Sequence, residues 1–342
     1  MGENPPGVPA PGSTPADQAG VSVSGRAARA AYRRPSASPR ERSLAEAGVL
    51  ATVAIWSANY VVVKAAIGVL GPLTFTSVRY LVATATLFLL VRWRLGPVRP
   101  PARTALTLLG LGMLGFGAYQ VLFSSGITKI TAGDSALIIA VSPVLTALLA
   151  GAVGMDRLTP PKLAGALVAF AGVAVVVAAG HEMALGASLV GAVLTLGAAV
   201  LWAIYTVAGT RMLRSVDALQ ATTWAVLGGT LFLLPFGAHE VLTSPTPPVS
   251  VAVVAAVLYS GAFAAGIANV FVFNAIRLLG PTRVTVSQFL VPAGAVVLGA
   301  VLLAEPVGIA QVVGGAVIVL GVWLTRRRTL IPASWRARVQ EA

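Results

Sequence analysis

Residues 142–173 read SPVLTALLAGAVGMDRLTPPKLAGALVAFAGV, and residues 291–322 read VPAGAVVLGAVLLAEPVGIAQVVGGAVIVLGV. Slid by 149 positions, the first superposes Pro143 on Pro292, Asp156 on Glu305, Gly165 on Gly314 and Gly172 on Gly321 without a gap. Each copy is an apolar run, a short turn carrying one acid, and a second apolar run. This is the pattern of a helical hairpin, present twice. Less tightly, Trp56 and Lys64 match Trp202 and Arg211 at shifts of 146 and 147.

Working outward from these hairpins, apolar stretches fall at about 47–67, 74–91, 104–124, 132–153, 161–179, 187–208, 220–237, 250–274, 283–303 and 308–325. A spanning helix needs roughly 20 mostly apolar residues. The expected fold is therefore an all-α integral membrane protein of ten transmembrane helices. Five spans per repeat is an odd number, so the second repeat enters the bilayer from the opposite face. Two inverted five-helix repeats are how many secondary transporters build two conformations around one central site.

Composition agrees with lipid as the solvent: 57% of the 342 residues are hydrophobic and 10% charged. A net charge of +13 would suggest nucleic acid in a soluble protein. Here the positions of the charges give another reading, because Lys and Arg collect in cytoplasmic loops. One side takes Arg26, Arg29, Arg33, Arg34, Arg40 and Arg42, then Arg92, Arg94, Arg99 and Arg103, then Arg157 and Lys162. The same side takes Arg211, Arg214, Arg277, Arg283 and the Arg326–Arg328 run. The other side takes only Lys64 and Lys129, alongside His181, Glu182, His239, Glu240 and Glu305. Both termini are expected in the cytoplasm, and no nucleic-acid partner is expected. The domain reading is a disordered cytoplasmic tail over 1–43, a first repeat over 44–180, a second over 185–325 and a basic cytoplasmic tail over 326–342. The first tail is rich in Pro, Ser, Ala, Gly and Arg and has little to bury.

The residues also resemble a family. IWSANYVVVK at 55–64, GPLTFTSVRY at 71–80 and the 142–173 stretch are similar to the first half of an EamA-type transporter of the drug/metabolite transporter superfamily. VLWAIYTV at 200–207, LLGPTRVTVSQFLVPAGAVVLGAVLLAEPVG at 278–308 and GGAVIVLGVWL at 314–324 are similar to its second half. The resemblance covers about 44–325. It implies ten helices with cytoplasmic termini in the plasma (inner) membrane, and export or exchange of small metabolites such as amino acids. Asp156 stands where the first repeat of that family usually carries Glu.

A charge in hydrocarbon costs on the order of 2.5 to 3.5 kcal/mol on insertion scales, so polar side chains inside spans are candidates for function. Arg79 lies about 9 Å below the outer end of the second span at 1.5 Å per residue. It either snorkels to headgroups or faces a central cavity, where it would attract a carboxylate or phosphate. Lys64, nearer the outer end, is read as snorkelling or topological. Trp56, Asn59 and Tyr60 in the first span, and Trp202 and Tyr205 in the sixth, occupy corresponding places in the two repeats. The resemblance implies that these helices line the cavity, which makes the five residues candidates for a substrate wall; interhelix packing is the alternative. Pro143 and Pro292 interrupt two spans near their middles and are candidates for gating or static kinks. Asp156 and Glu305 fall in the hairpin turns just before prolines and are read as structural closures at helix starts. Asp134 is the remaining acid close to the membrane, and no acid sits plainly at the midplane.

There is no cysteine, so disulfides, thiolate metal sites and Cys nucleophiles are excluded. Neither a GxxxxGK[ST] loop nor paired histidines on a helix is present, and no catalytic residue, metal or cofactor is expected. The leading function is a secondary transporter, an exporter of small organic metabolites by alternating access. Multidrug efflux in the same fold is the near alternative, and a channel or receptor the alternative of another class. The expected partners are a small-molecule substrate and the lipid bilayer; a homodimer is compatible with the sequence.

Overall fold

The computed structural model describes residues 38–96, 99–155, 158–178, 185–212, 216–244, 248–279, 284 and 287–326. Among them there is no strand. In chain order the helices are α1 Pro39–Leu70, α2 Pro72–Arg94, α3 Ala102–Ile127, α4 Ala132–Ala152, α5 Pro160–Ala178, α6 Leu185–Met212 and α7 Ala218–Thr243. Helix α8 is built of Val251–Leu258, Tyr259–Ile267 and Ala268–Leu279, and is followed by α9 Leu290–Leu303 and α10 Ile309–Arg326. The first eight include stretches long and apolar enough to cross a membrane, while the apolar stretches of the last two are shorter. Large apolar side chains such as Leu89, Leu167 and Val301 stand more than 70% exposed on the outer surface, as they would toward lipid. The chain is a multi-pass membrane protein.

The expected tail boundary at 43 moves: α1 already starts at Pro39. Ser38 accepts the Glu41 backbone N–H while the Glu41 carboxylate takes the Ser38 N–H, a reciprocal cap. Residues 1–37 of the expected tail, and those beyond 326, lie outside the described residues. The start of the ninth expected span also falls partly on residues that are not described. Between α1 and α2 a single residue, Gly71, ends one helix and precedes Pro72 of the next, at φ 83, a conformation glycine adopts at little cost.

Two helices are not regular. Helix α3 contains a π segment, Met113–Ala118, and α8 contains another, Tyr259–Ile267. Their first residues are 146 positions apart, the shift that also relates Trp56 to Trp202. Helix α4 is interrupted at Ala140–Val141 and restarts at Ser142, which puts Pro143 in the first turn of the new segment, where a missing N–H is harmless. Pro292 lies likewise in the first turn of α9. The breaks thus precede the prolines instead of centring on them.

The glycines that superpose in sequence meet crosswise in space, Gly165 with Gly321 and Gly172 with Gly314. A Cβ on Gly165 would fall 2.6 Å from the Gly321 carbonyl oxygen, and one on Gly172 would fall 2.7 Å from that of Gly314. Small residues let α5 and α10 approach backbone to backbone, as membrane helices do without a hydrophobic driving force between them. Contacts also pair α2 with α7, through Ser77 Oγ donating to the Leu233 carbonyl at 2.9 Å and a Thr84–Thr230 hydroxyl pair at 2.7 Å. Helix α1 packs on α8 and α9, and α6 packs on α3 and α4.

Candidate functional site

Arg79 lies seven residues into α2, and its side chain turns inward: the residue is 3% exposed. Its Nη1 donates to Ser260 Oγ at 2.9 Å and its Nη2 to Gln120 Oε1 at 2.7 Å. Ser260 in turn donates to Asn59 Oδ1 at 2.7 Å, and Gln120 Nε2 to the Tyr80 hydroxyl at 2.8 Å. One cation thereby joins α1, α2, α3 and the π segment of α8. Its partners are all neutral, and among the described residues no carboxylate pairs with it. The Nε–H is buried with no partner. An unmet buried donor costs about 1–3 kcal/mol, and more when charged, so this guanidinium holds unused capacity for an anion. The rings of Tyr80 and Phe75 lie 5.2 and 5.8 Å from its central carbon, close enough for attraction between cation and ring face.

Beside this cation runs a train of rings. Tyr60 meets Phe123 edge-on at 5.8 Å, and Phe123 stacks on Tyr119 at 5.8 Å. Tyr119 meets Trp202 at 5.6 Å, and Trp202 meets Phe116 at 5.6 Å and Tyr205 at 5.4 Å. Phe116 meets Tyr205 at 5.1 Å and Tyr80 at 6.4 Å, closing the train on the arginine's neighbour. Gly115, in the π segment of α3, makes room for Tyr205: a Cβ there would overlap the phenol ring.

Tyr60, Asn59, Arg79, Trp202 and Tyr205 are thus brought together. Trp56 is not. Its indole Nε1 donates at 2.9 Å to the Ala264 carbonyl in the π segment of α8, and it packs against a separate buried cluster that includes Ala45 and Val49 of α1. The reading missed Gln120 and Ser260, and the rings Tyr80, Phe116, Tyr119 and Phe123. The available signals were a lone glutamine in an apolar span and the small-residue runs GLGMLGFGA at 110–118 and SGAFAAG at 260–266, which cover the π segments.

A second polar assembly lies at one end of the bundle. Lys64 Nζ donates to the Ile127 carbonyl at 2.8 Å and to the Ile130 carbonyl, at the negative end of α3. Glu305 does not cap the helix that follows it. Both its carboxylate oxygens accept the Ala132 N–H, at 2.9 and 3.0 Å, at the start of α4, where orphan N–H groups need acceptors. Asp156, its sequence counterpart, lies outside the described residues. Glu240, which the sequence marked only as an outer-side residue, accepts the N–H groups of Leu73 at 3.0 Å and Thr74 at 2.6 Å at the start of α2. Asp134 accepts from Gln311 Nε2 at 2.8 Å, linking α4 to α10. Among the described residues no group of His, Cys, Asp and Glu could hold a metal ion.

This arrangement sets a cation with neutral partners beside a train of rings, between helices from both halves of the chain. The profile of the EamA-like transporter family matches residues 43–178 and again 189–327. The chain belongs to this family. A Streptantibioticus cattleyicolor protein described as a "probable terminal-alkyne amino-acid exporter" is 33% identical over 279 residues, 82% of this chain and 92% of its own. A Salmonella typhimurium "probable amino-acid metabolite efflux pump" is 28% identical over 291 residues, 80% of this chain and 92% of its own. A crystal structure of another protein superposes with a TM-score of 0.59 over 88% of this chain and 99% of its own, at 21% identity, a likeness of fold alone.

Proposed function

We propose that this protein is a secondary exporter of amino acids and related zwitterions, working by alternating access between two inverted five-helix repeats. The observation that carries this reading is Arg79, a buried cation with neutral partners only and one donor free. A substrate carboxylate offers what that fork lacks, since two parallel N–H···O bonds suit a guanidinium better than any point charge. The ring train then takes the substrate's body, because Trp and Tyr present broad apolar faces with a polar handle. A substrate ammonium can rest on those faces, which replaces the acid the site does not contain.

Support for ten spans in two repeats comes from the double family match, the crossed glycines of α5 and α10, and the π segments at equivalent positions of α3 and α8. In this reading α9 and α10 also cross the bilayer, both termini lie in the cytoplasm, and the membrane is the plasma (inner) membrane. The names of the Streptantibioticus and Salmonella relatives agree with amino-acid export.

The test is counterflow in proteoliposomes with L-phenylalanine, its decarboxylated amine and its deaminated acid. Wild-type protein should exchange phenylalanine and fail to exchange the amine, which lacks the group Arg79 would hold. Arg79→Lys should slow exchange by about tenfold or more, a loss of roughly 1.4 kcal/mol in the transition state, and Arg79→Ala should slow it further, both at normal membrane levels. Full activity in Arg79→Lys together with equal exchange of the amine would refute the assignment.

A further inference from the structure

We propose that Asp134 is a proton-coupling site, a carboxyl group that takes up and gives up one proton in each transport cycle, with the Gln311 amide as the group that senses its state. The proposal rests on the transport reading above and adds what drives it.

Part of the environment of Asp134 is an ordinary helix start: Thr131 precedes α4, and its hydroxyl accepts the Asp134 N–H at 2.9 Å. A helix start does not call for the rest. Gln311 reaches across from α10, 92% buried, and lays its amide over this first turn, with Nε2 2.8 Å from Asp134 Oδ1 and 3.4 Å from Thr131 Oγ1. A Cβ on Gly133 would fall 3.0 Å from the same nitrogen, so the glycine leaves the amide its place. The other arm of that amide, Oε1, is buried with no donor, and so is the hydroxyl of the adjacent, fully buried Ser135. A buried acceptor beside a carboxylate, with no hydrogen to accept, is the complement of a carboxylic acid. When Asp134 is protonated its O–H supplies the missing donor, and the amide turns to receive it.

The charge that faces Asp134 is Lys64 from α1, which Glu305 in the turn between α9 and α10 also faces; Lys129 stands in the link between α3 and α4. Helix α9 carries no charged residue, and the only one in α6, Arg211, lies at its opposite end. Lys64 disfavours a metal cation beside it, and the Gln311 N–H already occupies one carboxylate oxygen, so the ligand that fits is a proton. It adds to a carboxylate oxygen from hydronium on one side of the membrane and leaves to water on the other. Nothing is oxidised or reduced.

Its effect is mechanical. With Asp134 ionised, a charge-assisted hydrogen bond ties α4 to α10; with Asp134 neutral that tie drops to about half its strength. Because Glu305 and Lys64 hold α4 and the end of α3 at the same end of the bundle, loosening it eases that end open. Proton entry there and substrate exit become parts of one equilibrium.

The test uses the full chain in proteoliposomes with an entrapped pH-sensitive dye and L-phenylalanine as the probe. Wild type should move protons opposite to phenylalanine, and an imposed pH gradient should accumulate the amino acid. Asp134→Asn should still exchange phenylalanine but lose at least about tenfold of the gradient-driven accumulation, and Asp134→Glu should retain it. Gln311→Met removes both partners, and the bond lost to the ionised form is about twice as strong as the one lost to the acid, so the pH midpoint of accumulation should move upward. If Asp134→Asn fails to insert, the other two variants decide: an unchanged pH profile in Gln311→Met overturns the proposal. Net phenylalanine transport by wild type without proton movement overturns this proposal alone, whereas no exchange at all overturns the transport reading with it.

Discussion

Glu240 and Glu305 each reach across to the partly buried N–H groups at the start of another helix. Carboxylates are favoured there by the helix dipole and by the orphan donors together. Replacing either by Ala removes an ionised acceptor from partly buried donors and should lower stability by about 1–3 kcal/mol. Glu→Gln should keep part of that. Thermal unfolding of the purified variants in one detergent measures it, and unchanged melting in both Ala variants would show these contacts to be idle. Such caps join residues more than 160 positions apart, which is why the sequence reading kept Glu305 within its own hairpin and gave Glu240 no role. Arg79, Tyr60, Trp202 and Tyr205 were legible because a polar or amphipathic side chain inside an apolar run is conspicuous. Their partners Gln120 and Ser260 were not singled out. Nothing local says that a residue 41 or 181 positions away from Arg79 will accept its hydrogen bonds.

At the scale of the helix, existence and order were legible and internal geometry was not. Apolar runs of about 20 residues identify spans whatever their exact winding. A π segment differs from an α-helix by one extra residue in the turn, and Met113–Ala118 reads as ordinary helix in composition. What betrays it is packing: Gly112 and Gly115 sit where α7 and Tyr205 press against α3. This gives a paired prediction within one helix. Gly112→Ala would place a methyl on the Ala225 carbonyl and should cost about 1–3 kcal/mol by overpacking. Gly110, two residues earlier, faces open space, so Gly110→Ala should leave stability unchanged or raise it by about 0.5–1 kcal/mol. Membrane levels and melting temperatures of the two variants compare them directly. Similar losses in both would mean that the close approach of α3 and α7 is wrong.

At the scale of the molecule, the proposed transport cycle requires one half of the chain to be inserted upside down relative to the other. The repeat offset of 149 was legible because the hairpin glycines recur, and those glycines are where α5 and α10 meet. The loop charges point the same way, with Arg99 between α2 and α3 on the basic side. Ser244, which follows α7, holds the corresponding place in the second half. Both residues are exposed, and the chain has no cysteine of its own, so Arg99→Cys and Ser244→Cys each create a single reporter. Labelling intact cells with a membrane-impermeant maleimide is the most direct measurement. Ser244→Cys should label from outside and Arg99→Cys only after permeabilisation; labelling of both from the same side would overturn the inverted repeat.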